Sequence, residues 1–455
     1  MTRLLKVGLA LLMAGSMWYY AAAVLIPYQR KEAAIHRSPR GNLSDLYPRW
    51  LGARELLLHG RDPYSAEVTR EIQIGYYGEV LDGSRPDSPK DQQRFAYPVY
   101  VVFLLAPVIK IPFPILRVFF RLLLLVLTVA SVPLWIRALG MQIKRTTVAI
   151  IVVLLLGSFP LIQGLYLDQL TLLVCFLIAA ACAAVAHGKL MPAGILLAVA
   201  TIKPQIALPV AIWFGLWAFS DWQRRRGVVW GFASTMSALL AGAHWVLPGW
   251  SERWWTAVHA YFGYAAAQSL LEVLLGRYGG LLAGIVIALT VGLACWRGRR
   301  EPAGSSAFNV CLLSVLAADM LVKPKFPLYD VVILVPVLVW FWNGWRAINN
   351  RSRPARFLCW ITAFLAGGQW VGALALTVVS LFYSSSAAQN AWKLPLGTLF
   401  LLPVGSACLL GLFALDVWKG EVSRATRGRT TWCPASGAEE ASTLAPLTSN
   451  GGSRQ

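Results

Sequence analysis

Apolar segments separated by short polar loops make up most of this chain. The first covers residues 1–27, and the others follow the long polar segment 28–97. The later apolar segments are 98–113, 115–136, 146–162, 169–186, 190–219, 228–247, 270–296, 306–322, 328–345, 357–383 and 395–418. Most are close to the ~20 residues that an α-helix needs to cross a bilayer. The pattern predicts an all-α polytopic membrane protein with about eleven to thirteen transmembrane helices.

The polar segment 28–97 contains a stretch with helical periodicity. Within residues 42–64, apolar side chains recur mostly three and four positions apart, as on one face of a helix. They are Leu43, Leu46, Trp50, Ala53, Leu57 and Leu58. Ser44 or Asp45 stands where a helix N-cap is expected, and Gly60 stands where the helix would end. We predict an amphipathic helix on the membrane surface with Asp45 at its front edge.

Further elements are predicted in the same polar segment. Asp62-Pro63-Tyr64 is typical of a turn. Residues 66–80 are predicted to form a second helix. Residues 81–93 are rich in Asp, Ser, Pro and Gly and predict a mobile loop. A connection of this length is either disordered or functional, so we treat 28–97 as a domain of its own.

Basic loops orient the predicted spans, because cytoplasmic loops are enriched in Lys and Arg. The strongly basic stretches are 221–227, 297–300, 346–356 and 419–429. We place these stretches in the cytoplasm. The basic start and apolar run of residues 1–27 also fit a signal peptide, but the run is long and lacks a clear cleavage site, so we predict an uncleaved first span with the N-terminus inside. The segments 28–97, 248–268, 323–328 and 384–394 then lie outside.

The middle of the chain leaves two possibilities open. Residues 137–145 are cytoplasmic by charge only if 98–113 does not cross, or if 190–219 is counted differently. Lys203-Pro204 interrupts that long segment, which is therefore kinked or divided into two pieces. We assign residues 98–420 to a multi-span domain. Residues 421–455, rich in Ser, Thr, Gly and Ala, are predicted to form a disordered cytoplasmic tail.

Composition and charge agree with a membrane protein. The chain is 57% hydrophobic and only 14% charged, whereas a soluble domain has about 25% charged residues. Its net charge of +20 lies largely in the short basic loops, so we predict no nucleic-acid partner. The motifs of zinc proteases, dinucleotide enzymes and ATPases are absent, and the histidines show no metal-binding spacing. Neither a cofactor nor a metal site is predicted.

Ionisable residues inside apolar segments are candidates for function, since charge at membrane depth is costly. Asp168-Gln169 lies between two apolar segments, and Lys203 interrupts another. Each has a structural alternative. Asp168 can be a buried, hydrogen-bonded carboxylate that joins helices. Lys203 can be an internally paired or snorkelling lysine.

Lys323 and Lys325 lie in a short loop predicted to face outside, where the positive-inside rule disfavours lysines. An anion at the outer membrane surface, such as a lipid phosphate, would explain them. The alternative is that they pair with Asp319 and Asp330 or with lipid headgroups. The sequence leaves both interpretations open.

Several stretches resemble glycosyltransferase family 87, which has the GT-C architecture and includes polyprenyl-phosphate-mannose-dependent mannosyltransferases. Residues 45–64, from Asp45-Leu46-Tyr47 to Asp62-Pro63-Tyr64, resemble the family's first-loop motif. Phe95, Tyr97-Pro98 and Pro107 resemble its signature at the re-entry into the membrane. The matches follow the family's order over residues 1–420.

The later motifs are similar to the family's but depart from it in places. Residues 197–205, with Lys203-Pro204, resemble its Ile-Lys-Pro segment, and residues 323–336 resemble its late motif. Asp168-Gln169 stands where the family usually has Gly-Gln, Thr171 where it has Asn, and Val99 where it has a second proline. Tyr329 stands where many members have a histidine, which leaves the role of that histidine and the sugar open.

The resemblance implies a GT-C-like integral membrane glycosyltransferase of the cell membrane. It would transfer a hexose, mannose by analogy, from a polyprenyl-phosphate donor to a lipid or glycan acceptor on the extracytoplasmic face, with inversion. Asp45 would be the catalytic base. Lys203, Lys323, Lys325 and Arg94 would stabilise the leaving phosphate. The other substrate-binding candidates are Tyr97, Asp168, Gln169, Tyr329 and Asp330.

Other interpretations compete with this one. Spacing alone favours Asp45 as a helix cap, since aspartate is common at that position. Intramembrane Asp168 and Lys203 also fit a transporter or flippase for lipid-linked saccharides, although no inverted repeat is visible. A structural scaffold would leave the outer lysines and the long polar segment without a purpose.

Overall fold

A computed structural model describes residues 3–39, 41–85, 88–264 and 267–419. Within these ranges the chain is helical, with connecting loops and no strand. The helices are α1 (Arg3–Tyr19), α2 (Ile26–Ile35), α3 (Leu46–His59), α4 (Ala66–Tyr77), α5 (Val101–Leu105), α6 (Phe113–Ala138), α7 (Arg145–Leu156), α8 (Phe159–Tyr166), α9 (Leu170–Ala186), α10 (Leu190–Ala200), α11 (Pro204–Phe219), α12 (Trp222–Val246), α13 (Trp250–Tyr264), α14 (Leu270–Gly298), α15 (Ser306–Val322), α16 (Val335–Asn349), α17 (Arg353–Phe382), α18 (Ser385–Asn390) and α19 (Leu394–Lys419). The prediction of an all-α polytopic membrane protein is confirmed. The predicted tail, 421–455, lies outside the described residues.

Helix length separates full membrane spans from shorter pieces. Six described helical segments are long and apolar enough to cross a membrane, and the bent pair of α7 and α8 makes a seventh if counted as one span. They are Arg3–Ile35, Phe113–Ala138, Leu270–Gly298, Leu328–Asn349, Arg353–Phe382 and Ser385–Leu415. Four more apolar helices, α9, α10, α11 and α15, have 10–17 residues. The predicted range of eleven to thirteen spans therefore includes helices shorter than a full bilayer crossing.

The segment 98–113 does not form a span. It contains only the five-residue α5 and a short 3₁₀ turn at Ala106–Val108. Five helical residues reach about 8 Å, whereas the hydrocarbon core is about 30 Å thick. Residues 137–145 were predicted to be cytoplasmic if 98–113 does not cross the membrane. The structure meets this condition, so 137–145 lie on the side of the other basic loops. The long segment 190–219 is also divided, into α10 and α11, with Lys203 between them.

Contacts between distant loops define a basic end of the bundle. The Arg225 guanidinium donates a hydrogen bond to the Arg299 carbonyl at 2.9 Å. The Asn309 side-chain amide donates to the Leu139 carbonyl at 3.2 Å. These bonds bring the basic loops around 137–145, 221–227 and 297–300 to the same end, as the positive-inside rule requires of cytoplasmic loops.

The first helix extends beyond the predicted boundary at residue 27. α1 continues through a π-helical stretch, Tyr20–Leu25, into α2, so that the helical span runs over 33 residues, Arg3–Ile35. Thr377 of α17 donates a hydrogen bond to the Ser16 carbonyl at 3.1 Å, which joins the first span to the bundle. The polar segment therefore leaves the helix about two turns later than predicted.

α3 forms where an amphipathic helix was predicted, but it packs inside the protein. Leu46, Trp50, Ala53 and Leu56 are buried, and the helix contacts α4 and α5. Because these side chains contact protein on several sides, α3 is not a helix whose single apolar face rests on lipid. Gly60 ends it with φ of +65°, the left-handed conformation that glycine favours.

Backbones approach closely where α10 crosses α12. A Cβ added at Gly231 would collide with the Met191 carbonyl, and one added at Gly194 would collide with the Val228 carbonyl. Small residues at helix crossings allow this kind of backbone contact in membrane bundles. Position 292 on α14, by contrast, has open space around it.

Gly231→Ala is therefore expected to destabilise the protein, because one methyl group forces α10 and α12 apart. Overpacking of this kind typically costs about 1–3 kcal/mol. Thermal unfolding of the detergent-solubilised protein measures the effect, with Gly292→Ala as the matched control. Equal unfolding temperatures for both variants would contradict the close crossing.

Candidate active site

Asp45 immediately precedes α3 but does not cap it with its side chain. Its Oδ1 accepts a hydrogen bond from the Tyr76 hydroxyl of α4 at 3.2 Å. Its Oδ2 accepts a hydrogen bond from the Gln169 side-chain amide. The Asp45 backbone amide donates to the Leu167 carbonyl at 2.8 Å. The helix-cap interpretation is thus not what the structure shows: the carboxylate is held between α4 and the turn that precedes α9.

The half-buried environment of Asp45 changes its acidity. Loss of solvation is the largest influence and raises the pKa of the carboxyl. The positive charge of Arg49 lowers the pKa, the carboxylate of Asp91 raises it, and Lys203 and the hydrogen bond from Tyr76 lower it. The net result is a raised pKa. A carboxylate with a raised pKa is a better proton acceptor than an ordinary surface aspartate.

Asp168 is fully buried and joins two elements to the turn before α9. Its Oδ2 accepts hydrogen bonds from the Ser44 hydroxyl at 2.5 Å and from Arg117 Nε at 2.7 Å. Its Oδ1 accepts one from Arg121 Nε at 2.6 Å. Both arginines, one turn apart on α6, also donate to the Tyr166 carbonyl. We refer to Asp168, Arg117 and Arg121 as the arginine clamp.

The arginine clamp fixes the turn that holds Asp45. The residues on either side of Asp168 supply two of the three contacts to Asp45: the Leu167 carbonyl accepts a hydrogen bond from its backbone amide, and the Gln169 side chain donates one to its carboxylate. Asp168 has φ of +53°, a conformation that glycine adopts without cost and that aspartate tolerates. Both carboxylate oxygens of Asp168 are occupied by protein groups, which supports a positioning role.

A chain of buried hydrogen bonds continues from Gln169 into the bundle. Lys203 Nζ donates to Gln169 Oε1 at 3.0 Å and to Thr171 Oγ1 at 2.5 Å. Thr171 donates to Asp330 Oδ1 at 2.8 Å, and Lys323 forms an ion pair with the other oxygen of Asp330. All five side chains are buried. Burial of these charges is tolerated because each has a charged or polar partner.

These contacts bear on the two buried lysines. The amine of Lys203 is bound internally, and that of Lys323 pairs with Asp330. For both lysines the geometry is that of the structural alternative: Lys203 is paired internally, and Lys323 is paired with Asp330. A direct phosphate contact by either lysine stays a prediction, and the structure shows only their proximity to Asp45 through Gln169.

Lys325 occupies a different position, at the edge of the site. Its Nζ donates to the Tyr261 hydroxyl of α13 at 2.6 Å and lies 3.9 Å from the Asp91 carboxylate. Its side chain is 35% exposed, so it is accessible to a ligand. Tyr329 lies nearby, with its ring 5.3 Å from Lys203 Nζ.

Tyr97 and Arg94 have different surroundings. Tyr97 lies beneath the Arg49 guanidinium, which stacks 4.2 Å from the ring centroid. Arg94 is exposed and donates to the Gln92 side chain at 2.8 Å, outside the network around Asp45. The structure thus brings together the sequence-predicted residues except Arg94.

The sequence analysis missed several residues of this site. Arg49 lies four positions after Asp45, so helical spacing would have placed both on one face. Tyr76 and Tyr261 carried no signal, because only the fold brings α4 and α13 to Asp45. Arg117 and Arg121 are four apart in an apolar helix, a pattern typical of a buried partner.

Comparison with known families decides the class of the protein. The sequence profile of glycosyltransferase family 87 matches residues 95–324, half of the 455-residue chain. The chain belongs to glycosyltransferase family 87. The matched part of this glycosyltransferase includes the arginine clamp and Lys203, whereas Asp45 lies before it and Asp330 after it. No curated protein and no solved structure matches the chain.

We expect Asp168→Asn to destabilise this glycosyltransferase strongly. It leaves two guanidiniums facing a neutral amide, and breaking a buried ion pair typically costs about 3–5 kcal/mol. Arg121→Gln should cost less, because the Asp168 carboxylate keeps its ion pair with Arg117 and the hydrogen bond from the Ser44 hydroxyl. Unfolding in mixed detergent micelles gives the ranking. A smaller loss for Asp168→Asn than for Arg121→Gln would rule out the arginine clamp as the main anchor of the turn.

Proposed function

We propose that this glycosyltransferase transfers a hexose from a polyprenyl-phosphate donor to a hydroxyl of a lipid or glycan acceptor, with Asp45 as the base. The observation that carries the proposal is the placement of Asp45. A half-buried carboxylate with a raised pKa is held by Tyr76 and Gln169 at a site with several cations. This combination suits removal of a proton from an incoming hydroxyl.

Asp45 would act as the acceptor oxygen attacks the anomeric carbon. The carboxylate takes the hydroxyl proton while the bond between the anomeric carbon and the phosphate oxygen breaks. The electron pair of that bond leaves with the phosphate, and attack from the opposite face inverts the anomeric centre. A positioned base contributes about 10²–10⁴-fold, so positioning and charge stabilisation must supply the rest.

The leaving phosphate needs positive charge close to it. Lys325 is the partly exposed lysine of the site, and the Tyr261 hydroxyl holds its amine. Lys203 and Lys323 would act at longer range, because their amines are bound by protein groups. The charge of Lys203 still favours an anion near Asp45, since a low-dielectric interior screens it weakly. The charge of Lys323 is largely balanced by Asp330.

An apolar cavity supports a donor that carries a lipid. It has a volume of about 550 Å³ and lies among α1, α7, α16, α17 and α19. Aliphatic and aromatic side chains line it, and two of them, Val331 and Val332, directly follow Asp330. A polyprenyl tail could lie there in an apolar environment while its phosphate reaches the polar site.

The orientation in the cell membrane follows from charge. Arg117 and Arg121 of the site lie near the start of α6, whereas Leu139, at the end where the basic loops meet, follows the last residue of this 26-residue helix. Basic loops stay in the cytoplasm. We therefore place Asp45 on the extracytoplasmic face. Family membership favours transfer over the alternative of transport or flipping.

The proposal is tested by incubating the purified protein, in lipid nanodiscs, with radiolabelled polyprenyl-phosphate mannose and cell-envelope lipids. Glucose and arabinose donors serve as sugar controls. Asp45→Asn should lower transfer by at least about 100-fold, because the amide cannot accept the proton. Its unfolding temperature should stay close to that of the wild type.

Asp62→Asn is the matched control for the Asp45 variant. Asp62 accepts a hydrogen bond from the Tyr64 backbone amide and pairs with Arg253, so it serves the turn and the contact between loops. Its substitution should leave most of the transfer activity. Undiminished transfer by Asp45→Asn would remove Asp45 as the base.

The raised pKa of Asp45 predicts the pH dependence of transfer. Asp45 must be deprotonated to act, so kcat/KM rises with pH through a pKa above the ordinary aspartate value. Because the Asp91 carboxylate raises this pKa, Asp91→Asn should shift the acid limb of the kcat/KM profile to lower pH. Asp82→Asn, at an exposed position, is the control. A shift to higher pH in Asp91→Asn would contradict the assignment.

A further inference from the structure

Arg49 is a cation of the site whose role the reaction scheme above leaves open. Its guanidinium donates to the Asp45 backbone carbonyl and stacks 4.2 Å from the Tyr97 ring centroid. In the described part of the chain, no carboxylate oxygen lies within ion-pair distance of it. The side chain is half-buried, so this charge is only partly solvated.

Most other cations around Asp45 have a carboxylate partner. Arg117 and Arg121 share Asp168, and Lys323 pairs with Asp330. The amine of Lys203 is buried and bound by Gln169 and Thr171. Among the described guanidiniums that contact Asp45 or the arginine clamp, Arg49 is therefore the one without a carboxylate partner. A guanidinium has five N–H donors in a planar fork, and one of them suffices for the Asp45 carbonyl.

Aromatic side chains surround this guanidinium on the side away from Asp45. Tyr97 covers one face, and Tyr261 and Tyr329 lie in the vicinity of the guanidinium. Tyr261 also accepts the hydrogen bond from Lys325, so it lies between the two cations. A stacked, partly dehydrated guanidinium with a free edge is suited to bind a phosphate through two parallel hydrogen bonds.

The hydrogen bond to the Asp45 carbonyl keeps this guanidinium beside the base. Arg49 lies four residues after Asp45, about one helical turn along α3, and its side chain reaches back to the start of the helix. In an inverting transfer, one sugar carbon lies between the attacking oxygen and the leaving oxygen. The base and the phosphate ligand must therefore both lie close to that carbon, as Asp45 and the Arg49 guanidinium can.

We propose that Arg49, together with Lys325, binds the phosphate that links the donor sugar to its lipid. The inference rests on the proposed function and deepens it by assigning the donor phosphate to named side chains. Arg49 is then a substrate-binding residue whose contact strengthens as the phosphate gains negative charge. The Tyr261 hydroxyl holds the Lys325 amine in place.

Steady-state kinetics of Arg49→Ala and Arg49→Lys test the proposal, with donor and acceptor varied separately. Loss of a charge-assisted hydrogen bond predicts a rise in donor KM of about 10- to 100-fold in Arg49→Ala. The acceptor KM should stay within about 2-fold, because the acceptor meets Asp45 instead. Arg49→Lys, which keeps the charge but loses the fork, should fall between.

Inhibition by the reaction product gives a readout that a structural role would not change. Polyprenyl phosphate should inhibit the wild type competitively with the donor. Its inhibition constant should rise in Arg49→Ala by at least the factor of the donor KM, because the product phosphate carries more negative charge than the donor. Arg54→Ala is the matched control, since that guanidinium lies over the Trp50 ring on the same helix. Arg49→Gln replaces Arg49→Ala if the latter does not fold.

Three outcomes decide the question. A lower kcat with unchanged donor KM and unchanged inhibition would show that Arg49 only supports the Asp45 backbone, which overturns the proposal. Equal inhibition by inorganic phosphate would assign the site to free phosphate and overturn the lipid-linked source. If the wild type transfers no sugar from any polyprenyl phosphate, the proposed function fails. Binding of polyprenyl phosphate that is lost in Arg49→Ala would still support the phosphate site.

Discussion

The buried carboxylate of Asp168, held by Arg117 and Arg121, is the interaction on which the candidate active site depends. It joins α6 to the turn before α9 and, through the Ser44 hydroxyl, to the start of α3. A charge in this position is costly unless it is fully paired, and here it accepts three hydrogen bonds from side chains. The same pairing fixes the Leu167 carbonyl and the Gln169 side chain, which together hold Asp45.

Charge is distributed unevenly across the site, and this distribution supports the proposed chemistry. On the bundle side, the charged groups are joined by a buried network of hydrogen bonds and one ion pair, made by Lys203, Thr171, Asp330 and Lys323. On the side of the outer loops, Arg49 keeps donors without an acidic partner among the described residues. The buried network holds the geometry, while the open edge leaves room for an anion. A base next to an anion site is the arrangement that an inverting transfer from a phosphate requires.

Family membership and local geometry contribute different parts of the argument. The family match covers residues 95–324 and establishes a membrane glycosyltransferase, but it does not reach Asp45. The long first loop is nevertheless part of the same site, because Asp45 contacts Leu167 and Gln169 within the matched region. Donor specificity would therefore arise where the polar loop meets the membrane helices.

The amino-acid sequence alone determined the class of fold and much of the site. Apolar segments of membrane length, basic loops and isolated charges are local patterns. They predicted the helical bundle and selected Asp168 and Lys203, whereas Asp45 was selected by the resemblance of residues 45–64 to the family motif. Tertiary structure alone decided that 98–113 does not cross and that α3 is packed inside the protein. It also decided which lysines are paired and that Arg49 faces Tyr97. The physical reason is that pairing and burial depend on side chains far apart in the chain, and hydrophobic periodicity carries no information about which distant partner each one meets.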